Sequence, residues 1–402
     1  MKSKRRAASS ASLRRPRPRV VIVGANFAGI AAAQHLDGRY AVTVIDRWPW
    51  FEWLPNIHEL LSGVKRSADL RLPRARLVQR AGHRYVRAEV ARIDAPAGAV
   101  VTSTGRRLPF DACIVAVGGV GETFGVPGAE HNALSFKSVD DCAEIGRRLV
   151  RLARRPGPAS VVIVGGGFEG IEALGEILRR YGDRKGLTVS LVEAAPRLMP
   201  NSPASIDRDV RRHCAGYQVR FHMATRVTRV TPKRVQVAGG KVLRSDLTIW
   251  TGGVQAPPLL RASGLADRAG QWAPVTQALR SRRHRNVFVA GDAAGLPHPL
   301  AKQAYYALQM GTCAAGNVER ALAGRRLRDF RPSAKGMLVA FGELDTFLIA
   351  GRSALASPAL AAAKEAVFQV TMAQLDPPLG VAALRGAARR VAGAARRGLL
   401  SP

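Results

Sequence analysis

Val161-Val-Ile-Val-Gly165-Gly-Gly167-Phe-Glu-Gly170 runs from an apolar stretch through a glycine-rich corner into helix-compatible sequence. Val20-Val-Ile-Val-Gly24-Ala-Asn26-Phe-Ala-Gly29 does the same about 140 residues earlier. A buried strand, a tight turn and a helix N-terminus present free backbone N–H groups to a pyrophosphate. One such turn is a weak signal, because short glycine motifs also make ordinary turns. Here each is followed by a second apolar run that ends in an acid. Ala41 to Ile45 leads to Asp46, and Thr188 to Val192 leads to Glu193. A carboxylate at that place accepts hydrogen bonds from the hydroxyls of an adenosine ribose. Two such units predict two dinucleotides held at once.

The two turns are not equivalent. The second keeps Gly165, Gly167 and Gly170, whereas the first has Asn26 where the backbone normally comes closest to the pyrophosphate. Asn tolerates positive φ better than other residues with a Cβ, so the turn still forms. A permanently bound cofactor enclosed by several segments survives an imperfect turn better than one that exchanges. FAD is therefore expected on Gly24, Asn26, Gly29 and Asp46, and an exchanging nicotinamide dinucleotide on Gly165, Gly167, Gly170 and Glu193. Glu193 would repel a 2′-phosphate, and no Arg or Lys follows it until Arg197, which favours NADH over NADPH.

The pattern around the turns is nested. Residues 83–110 read as short strands with a Pro-Ala-Gly turn, leading into Asp111-Ala-Cys-Ile-Val-Ala-Val-Gly118-Gly; residues 227–253 repeat this and end in Ser245-Asp-Leu-Thr-Ile-Trp250-Thr-Gly252-Gly253. Asn286-Val-Phe-Val-Ala-Gly291-Asp292 then rejoins the first unit. The expectation is an α/β fold of two Rossmann-like doubly wound domains, the second inserted in the first. The flavin domain covers 20–133 and 254–330, with Gly118, Gly291 and Asp292 at its cofactor. The nicotinamide domain covers 134–253, with Gly252 at its cofactor.

The 402 residues carry a formal net charge of +33. Residues 1–19 hold eight Lys and Arg and no acid, and are expected to be a disordered basic arm; residues 381–402 hold five arginines and no acid. About twenty net charges remain on the body, a surface that attracts anions. No apolar run reaches the ~18 residues of a spanning helix, and the basic arm lacks the apolar core of a cleaved signal. The cytoplasm, or the cytoplasmic side of the cell membrane, is the expected location. No nucleic-acid motif or basic-aromatic interleaving is present, so no nucleic acid is expected as a partner, although a basic flavoprotein that binds nucleic acid stays open. The sequence is compatible with a homodimer. Cys113, Cys142, Cys214 and Cys313 have neither redox-pair nor metal-ligand spacing and read as small buried hydrophobes, which leaves no obvious disulfide relay.

With these residues placed, the chain resembles the two-dinucleotide-binding-domain flavoproteins. Within them it resembles the type II, non-proton-pumping NADH:quinone oxidoreductases, from about Val20 to Lys335. The likeness is carried by Gly165-Gly-Gly-Phe-Glu-Gly-Ile-Glu172-Ala-Leu-Gly-Glu176, Asp246-Leu-Thr-Ile-Trp-Thr-Gly-Gly-Val254, Val287-Phe-Val-Ala-Gly-Asp292 and Phe124-Gly-Val-Pro-Gly128. It implies that Asp292 contacts FAD, that Glu172 lies near the nicotinamide and flavin rings, and that Lys335 lies near the flavin. It also implies alternating reduction of FAD by NADH and of a quinone by the flavin. The family's Ala-Gln-x-Ala-x-Gln helix reads Ala304-Tyr305-Tyr306-Ala307-Leu308-Gln309 here, so Tyr305 and Gln309 are the quinone candidates, with Tyr305 in place of the first Gln. Residues 331–402 are expected on an anionic membrane surface. One helix would open at Ser357-Pro358 and end at Leu375, and a second, basic amphipathic segment would run from Val381 to Leu399. Sulfide:quinone reductase and ferredoxin or rubredoxin reductase remain rivals, the first requiring cysteines beside the flavin.

Overall fold

A computed structural model describes residues 16–333 and 335–377. Most of the basic arm and the whole Val381–Leu399 segment lie outside the described residues. Arg17 and Arg19, assigned to the arm on sequence, belong to the folded body: Arg19 opens the first strand and Arg17 donates to the Gly38 carbonyl at 3.1 Å.

The run at Val20 forms β1 (Arg19–Val23), followed by α1 (Phe27–His35), β2 (Ala41–Asp46), β3 (Arg84–Arg87) and β4 (Ala112–Val115). Val20 to Val23 are at most 3% exposed, as a central parallel strand covered on both faces requires. The second sheet is built from β5 (Leu134–Ser135), β6 (Ala159–Val164), β7 (Leu187–Val192), β8 (Val219–His222) and β9 (Leu247–Trp250), in the order β5-β9-β6-β7-β8, all parallel. Among its helices are α2 (Val139–Arg154) and α3 (Phe168–Tyr181). The chain then returns as β10 (Val287–Val289), which pairs with β4 and completes a first sheet of order β10-β4-β1-β2-β3. The two crossing strands meet as an antiparallel ribbon, with Val120 opposite Gln255 and Gly121 opposite Val254.

Each half carries a three-stranded meander before its last strand, and the two meanders break register at matching places, Val90/Arg92 and Val227/Arg229. The repeat therefore extends to irregularities as well as to regular elements. Helix α4 (Ala304–Leu322) lies against α1 so closely that a Cβ on Gly311 would sit 2.1 Å from the Ala28 carbonyl oxygen. The chain then forms an antiparallel sheet of β11 (Met337–Phe341), β12 (Asp345–Ala350) and β13 (Ser353–Ala356), followed by α5 (Leu360–Leu375). This last unit rests on α3, where a Cβ on Gly175 would meet the Gly342 nitrogen at 2.4 Å.

Helix α5 begins two residues later than expected. Ser357 Oγ accepts from the Ala359 N–H at 3.3 Å instead of capping the helix at Pro358. Phe368 and Leu375 are buried, and the Phe368 ring packs 6.0 Å from Trp53 and under the Lys65 ammonium at 4.4 Å. Val367 and Val370 are more than half exposed. Among the described residues, no helix is long and apolar enough to cross a membrane.

Candidate functional site

Both glycine corners are forced by the backbone. Gly24 has φ +98° and a Cβ there would lie 2.3 Å from the Ala116 carbonyl oxygen; Gly165 has φ +110° and a Cβ there would lie 2.7 Å from Thr251 Oγ1. A Cβ on Gly29 or Gly170 would lie 1.9 Å from the carbonyl oxygen of Gly24 or Gly165. Only glycine lets each corner approach the neighbouring strand end so closely. The strand-end acids then tie the corners in the same way twice. Asp46 accepts from the Ala25 N–H at 2.8 Å and the Trp48 N–H at 2.9 Å; Glu193 accepts from the Gly166 N–H at 2.6 Å and the Ala195 N–H at 2.7 Å. Each Glu193 oxygen, and Asp46 Oδ2, keeps a lone pair for a ribose hydroxyl, whereas Asp46 Oδ1 also faces the Arg74 guanidinium.

Asn26 occupies its corner for a reason other than the one expected. Its φ is −103°, so no left-handed conformation is needed. Its side-chain amide instead brackets Glu52, donating to the Glu52 carbonyl at 3.2 Å and accepting from the Glu52 N–H at 3.0 Å, which pins the turn to the Trp50–Glu52 strand. The corners also differ in charge. Buried Arg74 pairs with Asp46 and donates to the Ala25 carbonyl at 2.9 Å and the Trp48 carbonyl at 3.0 Å. Among the described residues Glu193 has no such partner. Arg197, the first cation after it, gives its guanidinium to the carbonyls of Leu198, Met199, Pro200 and Ser202.

The remaining glycines line the strand ends. Gly118 has φ +65° with open space where a Cβ would go, and Gly291 has φ +71° beside Ala28. A Cβ on Gly252 would lie 2.7 Å from the Trp250 indole nitrogen, and Gly167 faces open space. Asp292 lies in the turn three residues beyond β10; burial raises its pKa, while Lys302 and Lys137 act against that. Lys302, which sequence reading passed over, donates to the Asp292 carbonyl at 2.6 Å and sits 4.0 Å from the centre of the Trp272 ring.

Tyr305, Gln309 and Lys335 come together. The Lys335 ammonium lies 4.4 Å from the centre of the Tyr305 ring, and Gln309 Oε1 accepts from the Ser333 N–H at 3.0 Å. Helix α4 and the segment leading to β11 thus share one polar and aromatic edge. Glu172 is held elsewhere on the last unit. It lies in the second turn of α3, where Glu169 is the first-turn acid, so the helix terminus acts on Glu172 less than expected. Its Oε1 accepts from the Lys364 ammonium at 2.5 Å and from the Ala340 N–H at 3.2 Å. Burial raises the pKa of Glu172, with Lys364 pulling the other way. His58, fully buried, is kept neutral by that burial and by Lys364. Its Nε2 lies 3.4 Å from the Lys364 ammonium and accepts from it, leaving the proton on Nδ1, 3.5 Å from Glu172 Oε2. Lys364 had one sequence signal: it stands with Glu365 in an otherwise uncharged helix. His58 and Arg74 had none.

One turn beyond Glu172, Glu176 is 1% exposed and takes a hydrogen bond from Ser62 Oγ. Burial lifts its pKa from 4.5 to about 7. The folded state then holds a proton that the unfolded chain has released, so this group costs stability as pH rises from 4.5 through 7. At about 1.4 kcal/mol per unit the cost is on the order of 3 kcal/mol. Glu176→Gln is therefore expected to raise stability at pH 8 and to flatten the stability profile between pH 5 and 8 in urea titrations. An unchanged pH slope would refute the assignment.

Comparison with known proteins fits this geometry. The chain belongs to the pyridine nucleotide-disulphide oxidoreductase family, whose model matches residues 18–311. The type II NADH:quinone oxidoreductase of Staphylococcus aureus is 27% identical across 82% of this chain and 89% of that protein. NDH2 from Plasmodium falciparum in complex with NADH superposes with a TM-score of 0.79 at 15% identity, covering 89% of this chain and 95% of that one. The sulfide:quinone oxidoreductase of Aquifex aeolicus also gives 0.79, at 20% identity, covering 89% and 91%. The two structures share the fold and do not choose between acceptors.

Proposed function

We propose that the protein is a FAD-dependent NADH:quinone oxidoreductase at a membrane surface. The observation that carries the reading is the pair of glycine corners, each closed by a strand-end carboxylate bonded to its own turn. Both corners fit the pyrophosphate and ribose of a dinucleotide, since Gly24 and Gly165 let each turn close against its strand end, and Gly167 leaves open space at the N-terminus of α3. When bound, FAD would supply the redox chemistry that links hydride donation by NADH to two-electron reduction of a quinone. The chain's own residues orient and position. Asp46 and Arg74 hold the flavin-side turn, Asp292 reaches the flavin from the end of β10, and Glu193 receives the NADH ribose. Tyr305, Gln309 and Lys335 form the quinone-facing edge, and Glu172, paired with Lys364, is the carboxylate on the nicotinamide side. The relationship to the S. aureus enzyme supports quinone as acceptor.

The rival that needs flavin-adjacent cysteines is disfavoured. All four cysteines are free, three are buried, and burial raises the thiol of Cys214 to about 12 and that of Cys313 to about 11, away from reactive thiolate. Steady-state assays with NADH, quinones, ferredoxin and sulfide separate the readings: turnover with NADH and quinone, and none with sulfide, is expected. NADH should be favoured over NADPH by roughly tenfold or more in kcat/KM, about 1.4 kcal/mol, because Glu193 has no cationic partner among the described residues and Arg197 is already engaged. Equal use of both would remove Glu193 as the ribose reader.

At the membrane, exposed Val367 and Val370 on α5 and the positive body favour an anionic leaflet, and we place the enzyme on its cytoplasmic side. Val367→Asp/Val370→Asp should release it from phosphatidylglycerol vesicles in sedimentation assays while NADH:ferricyanide activity stays. Undiminished binding of that variant would move the membrane contact off α5.

A further inference from the structure

The two halves of the repeat treat one structural acid very differently. Asp111 precedes β4 and accepts from the Arg19 N–H at 2.6 Å; Asp246 precedes β9 and accepts from the Ser160 N–H at 3.0 Å. The reciprocal backbone bonds match as well, Asp111 N–H to the Arg19 carbonyl and Asp246 N–H to the Ser160 carbonyl. In the first half this acid is well exposed and, among the described residues, pairs with Arg19 alone. In the second it is 3% exposed beneath Arg155 at 3.2 Å, Lys233 at 3.5 Å and Arg244 at 3.6 Å. Arg234 joins these three and Val242 around a cavity of about 540 Å³.

Asp111 does the same strand-capping with a single cation, so the capping role does not require the extra charge at Asp246. Three cations pair with this one carboxylate and Arg234 lines the same cavity, a local excess of positive charge that a bound anion would offset. Arginine guanidinium forks and a lysine ammonium suit phosphate oxygens. The volume falls in the range of small-ligand pockets, roughly 300–1,000 Å³. The cavity lies at the N-terminal edge of β6 and β9, whereas the Gly165 corner is at the opposite, C-terminal edge of β6, so an occupant leaves the dinucleotide turn free.

We propose that Arg155, Lys233, Arg234 and Arg244 form a second anion site on the nicotinamide-side sheet, for a small polyphosphate of up to nucleoside triphosphate size. This site is independent of which electron acceptor the enzyme uses. Its test is calorimetric titration of inorganic tripolyphosphate into the FAD-loaded protein saturated with NAD⁺ at about 0.15 M salt, where distant charges are screened. One saturable site is expected. Lys233→Gln/Arg244→Gln, whose side chains are 69% and 59% exposed and carry little folding energy, should weaken it about tenfold or more. Arg147→Gln/Arg151→Gln removes the same charge from the surface of α2 and should change it by less than about twofold. Equal weakening in both variants, or no saturable site in the parent protein, overturns the proposal.

Discussion

Alanine at Gly165 is expected to remove NADH oxidation while the flavin stays bound, and alanine at Gly24 is expected to remove the flavin. Both positions have φ near +100°, a conformation costly for any residue with a Cβ. Both would also drive that Cβ into a strand end, Thr251 at 2.7 Å in one case and the Ala116 carbonyl at 2.3 Å in the other. Neither neighbour can readily yield, since each directly follows the strand that the turn must touch, and at Thr251 the backbone oxygen is also within 2.9 Å. Gly165→Ala should lower kcat/KM for NADH by about a hundredfold, near 2.7 kcal/mol, with a normal flavin-to-protein absorbance ratio. Gly24→Ala should purify with little flavin. A Gly165→Ala enzyme with unchanged KM for NADH would show that the nicotinamide dinucleotide binds elsewhere.

Lys364→Met should destabilise the protein by about 3–5 kcal/mol, because it strips the cation from a carboxylate that stays buried. The loss should shrink on acidification. Burial already raises the Glu172 pKa, and without Lys364 it rises further, so protonation relieves the penalty as pH falls through that raised value. Glu172→Gln/Lys364→Met should recover most of the stability, giving a large coupling in a double-mutant cycle by urea unfolding. Additive losses in that cycle would mean that the pair does not act as a unit. Since Lys364 lies on α5 and Glu172 on α3, the same pair clamps the last helix to the nicotinamide-side domain.

The glycine corners and their acids were legible in the sequence because backbone geometry leaves little choice there. A turn at φ near +100° against a strand end admits glycine almost alone, and the acid falls at a fixed place at the end of the next strand. The α/β class followed from the same spacing. Asn26 shows where such reading fails: the residue was noticed, but its purpose, bracketing Glu52, depends on a strand that only the folded chain brings alongside. Arg74 and His58 were invisible for the same reason. One is a single cation among 62 Lys and Arg, the other one of 8 histidines, and each acquires meaning only through burial beside Asp46 or Lys364. The start of α5 was misplaced because a Ser-Pro pair also suits a turn, which is what Ser357 makes with Ala359.

The central claim, that electrons enter from NADH and leave to a quinone through one flavin, is tested most directly by anaerobic stopped-flow of the two half-reactions. NADH should bleach the flavin absorbance, and a soluble quinone should restore it faster than ferredoxin does. Tyr305→Ala and Gln309→Ala should slow only the restoring step, leaving flavin content and the rate of bleaching near those of the parent. Flavin that NADH reduces but quinone fails to reoxidise, or that sulfide reduces in place of NADH, would contradict the account.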